Sequence, residues 1–102
     1  MKRYRLSRRA KADLDRIWLR VAREASIEIA DRFIDAITER FPTLAGMPEA
    51  GKAQDELEPG LRSFPMRDYV IYYRKAHRGR ILISRVIHGR RDQKKALEED
   101  DI

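Results

Sequence analysis

Apolar residues recur every three or four positions through the first half of the chain. After Ser7 they occupy one face of a helical period, at Ala10, Leu14, Ile17, Trp18, Val21, Ala22 and Ala25. Such spacing, with the opposite face polar, is typical of an amphipathic helix. The hydroxyl of Ser7 is suited to accept a hydrogen bond from the first turn. We therefore predict a helix that begins after Ser7.

A second run with the same period follows directly. It begins after Ser26 with Ile27 and continues through Ala30, Phe33, Ile34, Ile37, Phe41 and Leu44. Ser26 can cap this run as Ser7 caps the first. Pro42 has no N–H group to donate, so the helix is expected to end or kink near Phe41. Because the connection between the two runs is short, we predict an antiparallel helical hairpin.

The period changes to two in the second half of the chain. Residues 46–60 are rich in Gly, Pro and acidic side chains, which indicates a loop. Alternating segments rich in Ile, Val, Tyr and Phe then predict strands at 61–64, 69–74 and 80–88, and a weaker signal predicts an opening strand at 3–6. Short links between the last three strands indicate an antiparallel meander.

The predicted order is β-α-α-β-β-β, an α+β fold in which a helical hairpin packs on one face of an antiparallel sheet. The pattern of the last strand does not indicate which of its two faces is buried. Ile81, Ile83, Arg85 and Ile87 alternate with Leu82, Ser84, Val86 and His88, so neither side is purely apolar. Regular pleating places Arg85 and His88 on opposite faces, and a bulge would change that arrangement.

Charge is segregated along the chain. Residues 60–97 carry eleven Lys or Arg against two Asp or Glu, whereas residues 25–59 carry three against eight. A positively charged surface attracts acidic partners and accelerates their encounter. The charge alone does not distinguish a nucleic acid from an acidic protein, and a solvated basic surface without a partner also fits it.

Length and composition limit the other possibilities. The chain of 102 residues is expected to form one domain over residues 1–97, followed by an acidic tail at 98–102. It contains no cysteine, which excludes disulfides, thiolate zinc sites and a cysteine nucleophile. We expect no cofactor or metal ion. With no apolar segment long enough to span a membrane, the chain is predicted to be soluble and cytoplasmic.

Two segments resemble a known family. The run LEPGLRSFPMRDYVIYYR, followed after a short turn by ILISRVIHGRRD, is similar to the strand motifs of ParE toxins in the RelE/ParE superfamily. The element order and the loop MPEAGK also resemble that family, over residues 1–95. The resemblance implies the toxin of a type II toxin-antitoxin system, inhibited by a ParD-like antitoxin with an acidic, flexible tail in a hetero-oligomer.

The superfamily offers two activities. ParE-like members act on DNA gyrase, whereas RelE-like members cleave mRNA on the ribosome, and a shared fold does not decide between them. RNA cleavage needs a proton-transfer pair and cations around the phosphate. His88, Arg62, Arg85, Arg91 and Tyr73 are the candidates, but no glutamate lies inside the meander. We therefore expect a non-enzymatic gyrase inhibitor, with the endoribonuclease as the alternative.

Eight residues of the meander are candidate contacts for the antitoxin or the target: Arg62, Phe64, Arg67, Tyr69, Tyr73, Arg85, Arg90 and Arg91. Arg62 and Arg91 have a structural alternative, in which they pair with Asp68, Asp92 or the acidic loop. His88 has one too, as a strand-end histidine bonded to a neighbouring backbone group. Lys52 stands where many relatives have an arginine, which places any function of that arginine in doubt.

Overall fold

The computed structural model of the chain describes residues 2–99. The strands are β1 (Tyr4–Leu6), β2 (Lys52–Ala53), β3 (Arg62–Met66), β4 (Tyr69–Lys75) and β5 (Ile81–His88). The helices are α1 (Arg8–Glu24), α2 (Ile27–Thr38), α3 (Arg40–Gly46) and α4 (Gln93–Glu98), with short 3₁₀ turns at Pro48–Ala50 and His77–Gly79.

The strands form one sheet in the order β1-β5-β4-β3-β2. The pairs from β2 to β5 are antiparallel, as the meander predicts, and the predicted α+β fold is confirmed. Two details of the sheet differ from the prediction. β1 runs parallel to β5, with Tyr4 opposite Ile81, and β2 lies within residues 46–60, for which the sequence predicts a loop. After β1, the helical hairpin carries the chain across the sheet to β2 at the opposite edge. The meander then runs back from β2 to β5, which lies beside β1.

Both predicted serine caps are present. Ser7 Oγ accepts a hydrogen bond from Ala10 N at 3.0 Å, and Ser26 Oγ accepts one from Ile29 N at 3.1 Å. The second apolar run forms two helices, because α2 ends at Thr38 and α3 begins at Arg40. Pro42 is the third residue of α3, where an N–H group would have no partner within the helix, so the proline is tolerated there.

The main core lies between the helices and one face of the sheet, and its largest fully buried side chains include Phe41, Ile71, Tyr73, Ile81 and Ile83. A smaller cluster covers part of the opposite face and consists of Leu61, Tyr72, Ile87, Ala96 and Leu97. It includes α4, which the sequence pattern did not predict. The predicted domain boundary at residue 97 falls inside α4, and residues 100–102 of the predicted tail lie outside the described residues.

A β-bulge explains the mixed pattern of β5. Tyr72 lies opposite Arg85 and Tyr73 opposite Ile83, so Ser84 is the extra residue. Before the bulge, Ile81 and Ile83 face the main core; beyond it, Val86 does so, whereas Ile87 packs in the cluster on the opposite face. The alternation is therefore inverted in the middle of the strand.

Candidate functional site

The sheet register divides the predicted site residues into two groups. Arg62 pairs with Tyr73 at one end of the β3–β4 ladder, whereas Tyr69 pairs with His88 where β4 begins and β5 ends. Four steps of extended strand separate Tyr69 from Tyr73, a distance of about 13 Å. We call these two regions the Arg62 end and the His88 end.

The Arg62 end is organised around the backbone of Gly51. The Gly51 N–H donates to Tyr73 Oη at 2.7 Å, and that hydroxyl donates to the Pro48 carbonyl at 2.8 Å. Arg62 Nη1 donates to the Gly51 carbonyl at 2.7 Å. Burial raises the pKa of Tyr73 above its usual value. Arg62 and Tyr73 therefore hold the loop against the sheet, which favours the structural alternative for Arg62, while the neighbouring Lys52 is exposed.

Arg85 lies in the interior, only 3% exposed. Its Nε and Nη2 donate to the two carboxylate oxygens of Asp13 at 2.7 and 3.0 Å, and its Nη1 donates to the Ala96 carbonyl at 2.6 Å. Val86 N adds a bond to the same carboxylate at 2.9 Å. Arg85 is thus a core residue outside any accessible surface, which corrects its place among the predicted contacts.

The His88 end contains a chain of aromatic rings. Phe33 packs edge-on against Tyr69 with ring centroids 5.7 Å apart, and Tyr69 packs in the same way against His88 at 5.0 Å. The guanidinium of Arg67 lies 5.5 Å above the Phe33 ring, and that of Arg20 lies 5.5 Å above the Tyr69 ring. Such cation–π contacts contribute stability and hold the charged groups beside an apolar surface.

The imidazole of His88 is held by its neighbours. Its Nδ1 accepts a hydrogen bond from Arg90 N at 3.1 Å, and one side of its ring packs against Tyr69. This is the arrangement of a strand-end histidine bonded to a neighbouring backbone group, as the structural alternative expected. The Nδ1 lone pair is therefore not directed at a substrate.

A cleft of about 190 Å³ lies between α1 and the end of β5. Its polar lining consists of Asp13, Arg16, Arg20, Tyr69, His88 and Arg91. The single carboxylate in this lining, Asp13, already accepts bonds from Arg85, Val86 N and Arg16. Burial raises the pKa of Tyr69, and the positive charge of Arg20 partly opposes that rise. The cleft is thus suited to hold an anionic group and offers no free carboxylate as a partner for His88.

The other predicted contacts lie around these two ends. Arg67 is exposed in the β3–β4 turn, and Arg90 is exposed just beyond β5. Arg91 Nη2 bonds both carboxylate oxygens of Glu99 at 2.8 Å, so its partner is neither Asp68 nor Asp92. Half-buried Phe64 lines a groove beside α2 together with Arg40 and Arg67.

Sequence reasoning missed Arg16, Arg20 and Phe33, which lie on the helices. Asp13, Arg16, Ile17 and Arg20 recur at helical spacing on the side of α1 that faces the end of β5. That spacing was the available signal, but it identifies a polar stripe only after the position of α1 on the sheet is known. Among residues 2–99, no helix is long and apolar enough to cross a membrane, and no cluster of side chains is arranged to hold a metal ion.

Comparisons with known proteins agree on one family. Residues 4–93 match the profile of the family described as the ParE toxin of the type II toxin-antitoxin system parDE. Toxin ParE1 of Caulobacter vibrioides is 36% identical over 88 residues, which cover 86% of this chain and 90% of that protein. Toxin ParE1 of Mycobacterium tuberculosis H37Rv is 31% identical over 90 residues, covering 88% and 92% respectively.

The fold has a counterpart among solved structures. A chain of the chromosomal ParDE toxin-antitoxin system from P. aeruginosa superposes with a TM-score of 0.74 at 23% sequence identity. The superposition covers 86% of this chain and 96% of that chain. At this level of identity the likeness concerns the fold.

Proposed function

The chain belongs to the ParE toxin family of type II toxin-antitoxin systems, and from this premise we propose that it inhibits DNA gyrase by direct binding and is neutralised by a ParD-like antitoxin. In this proposal the chain is a cytoplasmic, non-enzymatic toxin. Its accessible contacts with other macromolecules are concentrated at the His88 end, on Arg67, Arg90 and Arg91 together with Arg20 of α1.

The observation that carries the non-enzymatic part is the separation of His88 from Arg62. The two residues pair with positions four apart on β4, about 13 Å along the strand, and Arg62 is directed to the Gly51 carbonyl. General acid–base cleavage of RNA needs its proton-transfer groups and phosphate-binding cations around one phosphodiester. The predicted catalytic set therefore does not converge on one substrate position.

The hydrogen bonds of the other candidate catalytic groups also support a toxin that acts without catalysis. Tyr73 Oη is engaged by Gly51 and Pro48, and Arg85 is paired with Asp13 in the interior. Within residues 2–99, the carboxylate that lines the His88 cleft is already saturated with donors. A macromolecular inhibitor requires no proton-transfer pair, so this arrangement is compatible with action by binding alone.

Antitoxin capture is supported by the same end of the molecule. Arg20 and Arg67 are exposed beside the rings of buried Tyr69 and half-buried Phe33, so cationic groups border an apolar surface whose accessible aromatic part is Phe33. An acidic, flexible segment that folds on binding gains both electrostatic attraction and apolar contact from such a surface. The resulting complex is a hetero-oligomer of toxin and antitoxin.

A supercoiling assay tests the proposal. Purified chain is titrated into DNA gyrase acting on relaxed plasmid, with and without an equimolar ParD-like antitoxin. We expect supercoiling to fall with toxin concentration and to recover when antitoxin is added. In parallel, mRNA from cells that express the chain is mapped by primer extension.

Two results would reject the proposal in different ways. Codon-phased cuts in mRNA, with gyrase activity unchanged, would establish the RelE-like endoribonuclease instead. Unchanged growth after induction without antitoxin, together with an unaffected gyrase, would identify a basic adaptor with no toxic activity.

A further inference from the structure

A second basic surface lies at the opposite end of β5 from His88. There a groove of about 400 Å³ runs between β1 and the β4–β5 hairpin, and Arg5, His77, Arg78 and Arg80 are among its lining residues. Its remaining lining residues are Tyr4, Ala76, Ile81 and Leu82, so this described lining contains no acidic side chain. We call it the hairpin groove.

The sheet register fixes the position of Arg5 in this groove. Arg5 lies opposite Leu82 of β5, and Leu82 lies opposite Arg74 of β4. Tyr4 and Leu6 pack against the main core, so Arg5 between them projects to the opposite face of the sheet. The Arg5 side chain is exposed and makes no ion pair with a carboxylate of residues 2–99.

Arg78 presents the second cation from a strained turn. Its φ is 61°, in the left-handed region that glycine adopts at lower cost, and the next residue, Gly79, has a φ of 70°. Arg78 is exposed and, like Arg5, is not paired with a carboxylate within residues 2–99. The neighbouring acids are occupied, because Glu49 bonds Lys75 and Glu58 bonds Arg74.

We propose that the hairpin groove binds the phosphodiester backbone of double-stranded DNA. Arg5 and Arg78 are exposed and lack carboxylate partners within residues 2–99, and the described lining of the groove contains no acid, so the groove complements the regularly spaced phosphates of a duplex. The hairpin groove is separate from the His88 end, so the chain would bind DNA at one end of β5 and protein partners at the other.

The aromatic residue of the groove favours a duplex over a single strand. Proteins that bind single strands stack bases on exposed aromatic rings. Tyr4 packs edge-on against Phe41 at 5.5 Å, and the Lys2 ammonium lies over its ring at 5.6 Å, so the ring is already engaged. The choice of DNA over RNA rests on the proposed function, because gyrase acts on duplex DNA.

Fluorescence anisotropy with a labelled duplex of about 20 base pairs tests this site without gyrase, so its failure is distinguishable from failure of the supercoiling assay. The two arginine–phosphate contacts of Arg5 and Arg78 predict a slope of about −1.8 for log K against log salt. Affinity should then fall about 12-fold between 50 and 200 mM salt. Duplex RNA of the same length should bind more weakly, and polyglutamate of equal charge should compete poorly.

Two variants with the same change of net charge locate the contact. Arg5→Gln/Arg78→Gln should weaken DNA binding at least tenfold at 50 mM salt and reduce the magnitude of the slope by about 1.8. Arg23→Gln/Arg32→Gln removes two exposed charges from the helical hairpin and should bind as the unaltered chain does. Equal loss in both variants would overturn the proposal, as would tighter binding of duplex RNA or efficient competition by polyglutamate.

Arg78→Gly separates binding from folding. Glycine relieves the left-handed strain, so this variant should unfold at a higher urea concentration while it binds DNA more weakly. A turn residue with only a structural role would change stability and leave DNA affinity unaltered, and that result would also overturn the proposal.

Discussion

Asp13 and Arg85 form a two-point ion pair in the interior of the molecule, although 72 residues separate them in the chain. The pair fixes α1 against β5, and the third contact of the guanidinium, with the Ala96 carbonyl, extends this connection to α4. One buried arginine thus joins α1, β5 and α4, of which α1 is distant in sequence from the other two. The pair is therefore expected to determine stability.

Loss of the Asp13 carboxylate should strongly destabilise the fold. Asp13→Leu leaves the Arg85 guanidinium buried without its counter-charge, and we expect the free energy of unfolding to fall by about 3–5 kcal/mol. Urea unfolding followed by circular dichroism measures the change. The matched variant Asp13→Leu/Arg85→Met should lose less, because it removes the unpaired charge as well. A single substitution that costs as little as the double one would contradict this account.

The Tyr73 hydroxyl should contribute stability and no catalytic step. Tyr73→Phe leaves the Gly51 N–H and the Pro48 carbonyl without their buried partner, at a cost of about 1–3 kcal/mol. Gly51→Ala should cost more, because a Cβ at that position would overlap Tyr73 Oη and would lie 2.8 Å from the Ser63 carbonyl oxygen. Urea midpoints rank the two variants, and folded Tyr73→Phe should inhibit gyrase as the unaltered chain does.

Alkaline pH should destabilise the protein through its buried tyrosines. Burial raises the pKa values of Tyr69, Tyr72 and Tyr73 in the folded state, so above about pH 10 the unfolded chain releases these protons more readily. The contribution to stability is complete below that pH and is lost as pH rises toward the folded-state values. Urea midpoints measured from pH 8 to 11 should fall, and Tyr72→Phe should fall less steeply.

Local patterns predicted much of the fold. The 3.6-residue period located α1 and α2, the two serines marked their starts, and the alternation located β3, β4 and β5. These signals are local, since each depends on residues within a few turns or pleats. The pattern did not supply the break between α2 and α3, the two-residue strand β2 or the parallel pairing of β1, because tertiary contacts determine these features. It also missed α4, although Asp92 is a local signal, since its side chain caps the helix by accepting a hydrogen bond from Lys95 N at 3.1 Å.

The site was less accessible to sequence reasoning, and Arg85 shows why. The bulge at Ser84 inverts the faces of β5, so regular alternation could not indicate which side of the strand was buried. The acid that neutralises Arg85 lies on α1, far away in sequence. A similar difficulty hid Arg20 and Phe33, whose contacts with the residues at the end of the sheet appear only when the layers are packed.

His88 should be replaceable by another flat ring. His88→Phe preserves a ring that can pack edge-on against Tyr69 and exposes the Arg90 N–H to water. We expect this variant to inhibit gyrase within about twofold of the unaltered chain, because the packing is retained. A tenfold loss would require the binding free energy to change by about 1.4 kcal/mol. His88→Ala, which removes the ring, is the comparison and should be weaker. Equal and complete loss in both variants would show that the imidazole itself is required.

The positive charge around the His88 cleft should govern the rate of antitoxin capture. Arg20 and Arg91 line this cleft, and replacing both with Gln removes cationic charge while their neighbours remain. Electrostatic steering acts mainly on association, so the association rate at low salt should fall about tenfold, with a smaller change in dissociation. Surface plasmon resonance with a ParD-like antitoxin at two salt concentrations measures both rates.

The matched control for this experiment is Lys11→Gln/Arg32→Gln, which removes the same charge from exposed positions of α1 and α2 outside the cleft lining. Its association rate should change little, and the difference between the two variants should shrink at high salt because exposed charges are screened. If both variants slow association equally, net charge alone steers the antitoxin. If the Arg20 and Arg91 variant associates normally at low salt, the His88 end is not the surface that captures it.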